Sequence, residues 1–337
     1  MMTNITVENP PHAETESLLD LYNSGNLPHA EKDCRKLLES YPESPLVFNI
    51  LGMVFDAQGK DLQAIENYKK ATELKPDYAD AFNNIGIILN SMGRPEEAVA
   101  RFEEAVRADP NFADGCNNLG VMLQNLGQHE KALEHLSKAI ELKSTCPATH
   151  FNYAKSLRAQ GKLEQALDIY NKAINLKPDY FEAYNNRGSL LEDLQRHEEA
   201  RESYTDSIRL KFDYALAYSN RARVQKKIGN YEGAMEDFTK AIEFGNWKNN
   251  ASDQNLKSRL YVNLGDILMF FRNYAKALAA YNEALNIEPD NQNLIGMKGN
   301  AIVALGDIEE GLKLKQQGYG VVSFDSLQGV SINHGRS

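Results

Sequence analysis

The chain has 337 residues, a formal net charge of −10 and 42% hydrophobic residues, an ordinary globular composition. The acidic balance argues against a nucleic-acid or anionic-membrane surface, since neither would attract it. No apolar run approaches the roughly 18 residues of a membrane span, and the start, MMTNITVENPPHAETES, lacks the basic region and apolar core of a secretory signal, so a cytoplasmic protein is expected.

Residues 1–10 are polar and are expected to be disordered. From Pro11 a unit recurs every 34 residues, with copies starting at 11, 45, 79, 113, 147, 181, 215, 258 and 292. The copy from Ala79 shows the logic. Phe82, Ile85, Gly86 and Leu89 share one helical face, and Ala98, Phe102 and Ala105 share a face of a second helix. Gly93 stops the first helix, Pro95 opens the second, and Pro110 follows its end. Gly86, Ala98 and Ala105 are small where two helices must approach closely. Each unit is therefore a hairpin of two antiparallel helices, A then B.

The first copy is worn, with Leu18 and Leu37 where small residues belong, as terminal repeats often are. The copies from Pro45, Ala79, Ala113, Pro147, Phe181 and Ala215 keep the pattern, although Ser144 and Phe212 replace the closing proline. Residues 249–257 then add nine residues beyond the period, rich in Asn, Ser and Asp. They predict a loop or a lengthened next helix. The pattern resumes at Ser258 and fades after Gln292. In the tail, residues 316–337, VVSF and VSIN are short β-prone runs around a turn-like DSLQG, which reads as a hairpin or an extended end.

Large, small and proline positions recurring together in register resemble the tetratricopeptide repeat, a 34-residue helix–turn–helix family, over residues 11 to 315. The resemblance implies an all-α, right-handed superhelical solenoid whose concave wall is made by the A helices. It also implies a non-catalytic adaptor or scaffold.

Positions 2, 5, 6, 9, 12 and 13 of each A helix would face that wall. Position 6 is Asn84, Asn118, Asn152, Asn186, Asn220 and Asn263 in six consecutive copies, and position 5 adds Asn49, Asn83, Asn117 and Asn185. Side-chain amides carry donors and an acceptor, and one per repeat can bond the backbone of an extended peptide whatever its sequence. The row is similar to the groove of the O-linked N-acetylglucosamine transferases, with no transferase catalytic domain beside it. The same residues could equally satisfy neighbouring helix backbone.

Lys155, Arg158, Arg223, Lys226 and Lys227 make the later copies more basic than the earlier ones, which carry Asp56, Asp80 and Asp114. A basic half could hold an acidic peptide or a terminal carboxylate; a solvated, mixed-charge face is the alternative. Arg187 and Arg221 replace apolar residues at position 7 and are expected at the rim. Met269 and Phe270 place an apolar spot at positions 12 and 13, which the insert with Trp247, or the tail, is expected to cover.

No catalytic constellation emerges. The seven histidines are scattered, Cys34, Cys116 and Cys146 read as reduced thiols within helices, and there is no Cys-x-x-Cys, phosphate loop or Gly-x-Ser-x-Gly elbow. Neither metal nor cofactor is expected. The sequence thus predicts a protein or peptide partner held in the groove. A self-assembling or targeting arm of a larger enzyme complex, acting through terminal repeats and tail, is the alternative. A homo-oligomer is open.

Overall fold

The computed structural model describes residues 9–248, 250–325 and 329–333. Residues 1–8 of the segment expected to be disordered, Asn249 of the insert, and 326–328 and 334–337 of the tail lie outside the described residues.

The chain divides into two compact units, Met1–Leu176 and Lys177–Ser337. The first holds five hairpins: α1 His12–Asn23 with α2 Leu27–Ser40, α3 Pro45–Ala57 with α4 Asp61–Leu74, α5 Ala79–Ser91 with α6 Pro95–Ala108, α7 Ala113–Asn125 with α8 His129–Leu142, and α9 Pro147–Ala159 with α10 Leu163–Leu176. The second holds four: α11 Phe181–Asp193 with α12 His197–Leu210, α13 Ala215–Lys227 with α14 Tyr231–Phe244, α15 Ala251–Phe270 with α16 Tyr274–Ile287, and α17 Gln292–Leu305 with α18 Ile308–Tyr319. Strands β1 Val321–Asp325 and β2 Gly329–Asn333 form an antiparallel hairpin, pairing Val321 with Asn333 and Asp325 with Gly329.

The turn between A and B is set by repeat position 15. Gly59 has φ 70, its N–H bonds Asp56 O, and the next N–H, of Lys60, bonds Phe55 O. These two bonds satisfy the last carbonyls of the helix, and glycine takes the left-handed backbone without steric penalty. Gln195 and Arg272 adopt the same conformation, with φ 60 and 57, where the sequence departs from glycine.

Packing within a hairpin is set by positions 8 and 24. A Cβ on Gly86 would lie 2.6 Å from the Phe102 ring, and one on Gly188 would lie 2.7 Å from the Tyr204 ring. The ring thus occupies the space that a side chain on the A helix would fill. Successive rings, with Leu136 in place of a ring in one copy, join the cores of neighbouring hairpins within each unit. The B helix ends in an extended residue before proline, as at Lys75 (ψ 89). Lys143 and Lys211 keep nearly that backbone before Ser144 and Phe212.

Residues 251–257 of the insert are helical. They lengthen α15 to 20 residues, starting from an Asn250 side-chain cap on the Asp253 N–H. Trp247 does not cover Phe270. Its indole N–H donates to Ile242 O at 2.8 Å, and it packs with the core of α13 and α14. Phe270 instead stacks on Tyr231, ring centroids 4.4 Å apart, and stays 62% exposed.

Candidate protein-binding face

The residues singled out in the sequence lie on the A helices, opposite the packing stripe.

In the first unit the amides bond one another across repeats. Asn118 donates to Asn83 Oδ1 at 2.9 Å, tying α7 to α5, and Asn117 donates weakly to Asn118 Oδ1 at 3.4 Å. Burial, with Asp56 nearby, pushes the Tyr68 phenol up, while a hydrogen bond with Asn84 pulls it partly back. Gln124 donates to Asn152 O at 2.9 Å and to Ser156 Oγ at 2.6 Å, tying α7 to α9. Four side-chain carbonyl oxygens of this unit are left over among the described residues: Asn49 Oδ1 and Gln58 Oε1 at α3, and two on α7. Asn117 Oδ1 and Gln124 Oε1 are buried and have no hydrogen-bond partner among the described residues. Seven positions apart on α7, they sit on one face about 10 Å from each other. The Asn152 side chain and Arg158 are half-buried, and Lys155 lies 5.8 Å from the Phe151 ring centre.

In the second unit Asn220 donates to Asn185 Oδ1 at 3.1 Å, repeating the Asn118–Asn83 bond in the same register. Asn186 and Asn263 turn back to carbonyls of their own helices, Glu182 O and Arg259 O, each at 2.8 Å. Much of the asparagine row therefore fastens repeats together or caps its own backbone, and its free capacity is mainly carbonyl oxygen.

The basic residues are organised around Glu192. This carboxylate, on a residue 6% exposed, accepts from Arg223 at 2.7 Å, the Tyr204 hydroxyl at 2.7 Å and Lys227 at 3.5 Å. Burial raises its pKa, but the Arg223 and Tyr204 hydrogen bonds outweigh burial and hold it below the ordinary carboxylate range. Lys226 bonds Asn263 Oδ1 at 3.3 Å and pairs with Asp266 at 3.6 Å. The arginines at position 7 serve packing. Arg221 forms a two-bond pair with buried Asp237, at 2.7 and 2.8 Å, and Arg187 donates to Ser203 Oγ at 2.8 Å.

Between α13 and α15 lies a cavity of about 180 Å³, lined by Leu216, Asn220 and Arg223 on one side and Leu256, Arg259 and Asn263 on the other. Three of these, Asn220, Arg223 and Asn263, were legible in the row pattern. Leu216, Leu256 and Arg259 were not. Their signal is helical spacing: 256, 259, 263, 266 and 270 fall three and four apart, one stripe along the lengthened α15.

Among the described residues no group of His, Cys, Asp and Glu could hold a metal ion, and no helix is long and apolar enough to cross a membrane. His150 Nδ1 lies 3.0 Å from the Cys146 carbonyl, and the three cysteines are free.

Family models of the tetratricopeptide repeat match residues 79–112, 113–146, 181–214, 215–244 and 258–291, and a TPR repeat model matches 52–93 and 154–195. Together they span more than half of the chain, which belongs to the tetratricopeptide repeat family. No match was found among curated proteins. Among solved structures, a tetratricopeptide repeat protein from Parabacteroides merdae ATCC 43184 is 20% identical with a TM-score of 0.55, covering 74% of this chain and 97% of that one. YrrB, described as a TPR protein with an unusual peptide-binding site, is 26% identical with a TM-score of 0.49, covering 55% of this chain and 95% of its own. MamA from Desulfovibrio magneticus RS-1 is 18% identical with a TM-score of 0.47, covering 50% and 96%.

Proposed function

We propose that the chain is a non-catalytic protein-interaction scaffold whose A-helix face captures an extended peptide segment of a partner. The observation that carries this reading is the set of A-helix carbonyl oxygens, Asn49 Oδ1, Asn117 Oδ1 and Gln124 Oε1, without partners among the described residues. A buried acceptor left unmade costs about 1–3 kcal/mol. All three lie on A helices, and all ask for donors. An extended peptide supplies an N–H at nearly every residue. Rigid hairpins hold these acceptors in place beforehand, so little conformational freedom is lost on capture. Asn118 and Asn83 fix the spacing of the wall instead of gripping the peptide.

A photoreactive residue at Asn152, on the same face, tests the reading in an extract of the protein's own source. It should yield discrete adducts with another polypeptide, whereas the same residue at Glu134, exposed on α8, should yield none. Equal yields at both positions, or adducts only at Glu134, would overturn the assignment.

A further inference from the structure

The cavity between α13 and α15 differs from the rest of the face in chemistry. Two arginines and three leucines converge on it with the amides of Asn220 and Asn263. One cation at the cavity is left without a partner. Arg223 and Lys227 both pair with Glu192, and Asp193 adds a second negative charge near Arg223. Arg259 is exposed and has no ion-pair or side-chain hydrogen-bond partner among the described residues. Lys226 and Asp266 offset each other.

The apolar part is equally specific. Leu216 is 41% exposed at the mouth, and Leu256 stands opposite on the turn that the insert adds to α15. The departure from the 34-residue period thus supplies one wall of the cavity. Asn220 has its NH2 committed to Asn185, while its carbonyl oxygen takes no hydrogen bond among the described residues. The site therefore offers cationic donors, an apolar mouth and a side-chain amide acceptor for a backbone N–H.

We infer that this cavity takes an acidic side chain, Asp or Glu, adjacent to an aliphatic one, within an internal segment of the partner. Guanidinium groups bind carboxylates through paired, charge-assisted hydrogen bonds, and Arg259 is the one with its capacity unspent. The α15 stripe runs on past the cavity through Asp266 to exposed Phe270, which suits a segment that passes through the site over one that ends in it. The inference rests on the peptide-capture reading and adds the class of peptide.

Full-length protein, panned against random dodecapeptides displayed as amino-terminal fusions, tests it, because such fusions present no free carboxyl terminus of their own. The selected peptides should be enriched in Asp or Glu next to Leu, Ile or Val. A soluble selected peptide should bind Arg259→Glu at least tenfold more weakly than wild type. Its amide analogue, Asp to Asn or Glu to Gln, should bind wild type similarly weakly and be indifferent to the substitution. Arg259 is exposed, and an unchanged melting temperature would confirm that the variant is folded. Selected peptides without acidic enrichment, or acidic peptides that bind Arg259→Glu as tightly as wild type, would overturn the acidic specificity while leaving peptide capture standing. If no peptide binds at all, both fall.

Discussion

Single residues in this chain do two jobs that look alike in sequence. Asn118 and Asn220 bridge to Asn83 and Asn185 in the preceding repeats, and they are architecture as much as Phe102 is. Asn117 and Gln124 leave acceptors open. Nothing in the sequence separates the two groups, because the difference is which neighbouring helix supplies a partner. Glu192 is a similar case: from sequence it is one acid among many, but in the fold it collects Arg223, Lys227 and Tyr204. Glu192→Gln should cost about 1–3 kcal/mol at pH 7, the range for hydrogen bonds to charged groups. The folded pKa lies below the ordinary value of 4.5, so the carboxylate's contribution is fully present above that value. It is lost as pH falls through the folded pKa. Urea titrations should therefore show a gap between wild type and Glu192→Gln at pH 7 that closes at low pH; a gap independent of pH would contradict the assignment.

Elements were largely legible, and for stated physical reasons. Helical spacing gave the packing faces, and glycine at position 15 with proline at position 32 marked the ends. The structure adds that these ends do not depend on their usual residues. Gln195 and Arg272 hold the left-handed turn because their helix carbonyls are bonded just as at glycine: Arg196 N–H to Leu191 O at 2.9 Å, and Asn273 N–H to Leu268 O at 2.8 Å. A non-glycine residue there carries roughly 1–2 kcal/mol of strain, offset in part by the lower chain entropy of its unfolded state. Gln195→Gly and Arg272→Gly should each stabilise the protein by about 0.5–1 kcal/mol, read as a rise in urea midpoint. No rise at either site would mean that the side chains contribute contacts that compensate the strain. The insert was the least legible element. Its Asn, Ser and Asp residues fit a loop and a helix cap equally, and tertiary packing of Leu256 and Leu260 on the core settles it as helix. Trp247 was misplaced for the same reason: its indole N–H has a carbonyl to reach at the end of α14, which periodicity does not reveal.

At the scale of the molecule, the repeated core carries the fold and the irregular positions carry the chemistry. The aromatic and small residues of positions 8 and 24 recur in nearly every copy and say nothing of a partner. The open acceptors at Asn49, Asn117 and Gln124, the cationic cluster on Glu192 and the extra turn of α15 stand apart from that repeated core. Family membership supports a protein-interaction scaffold, and the proposed binding face rests on these irregular features. The most direct measurement is an equilibrium titration of the partner polypeptide captured at Asn152 against three full-length proteins: wild type, Asn117→Ala/Gln124→Ala, and Lys131→Ala/Glu134→Ala on the exposed side of α8. With all three folded by thermal melting, the α7 variant should bind at least tenfold more weakly and the α8 variant should match wild type. Wild-type affinity in the α7 variant, or a loss confined to the α8 variant, would contradict binding on the A-helix face.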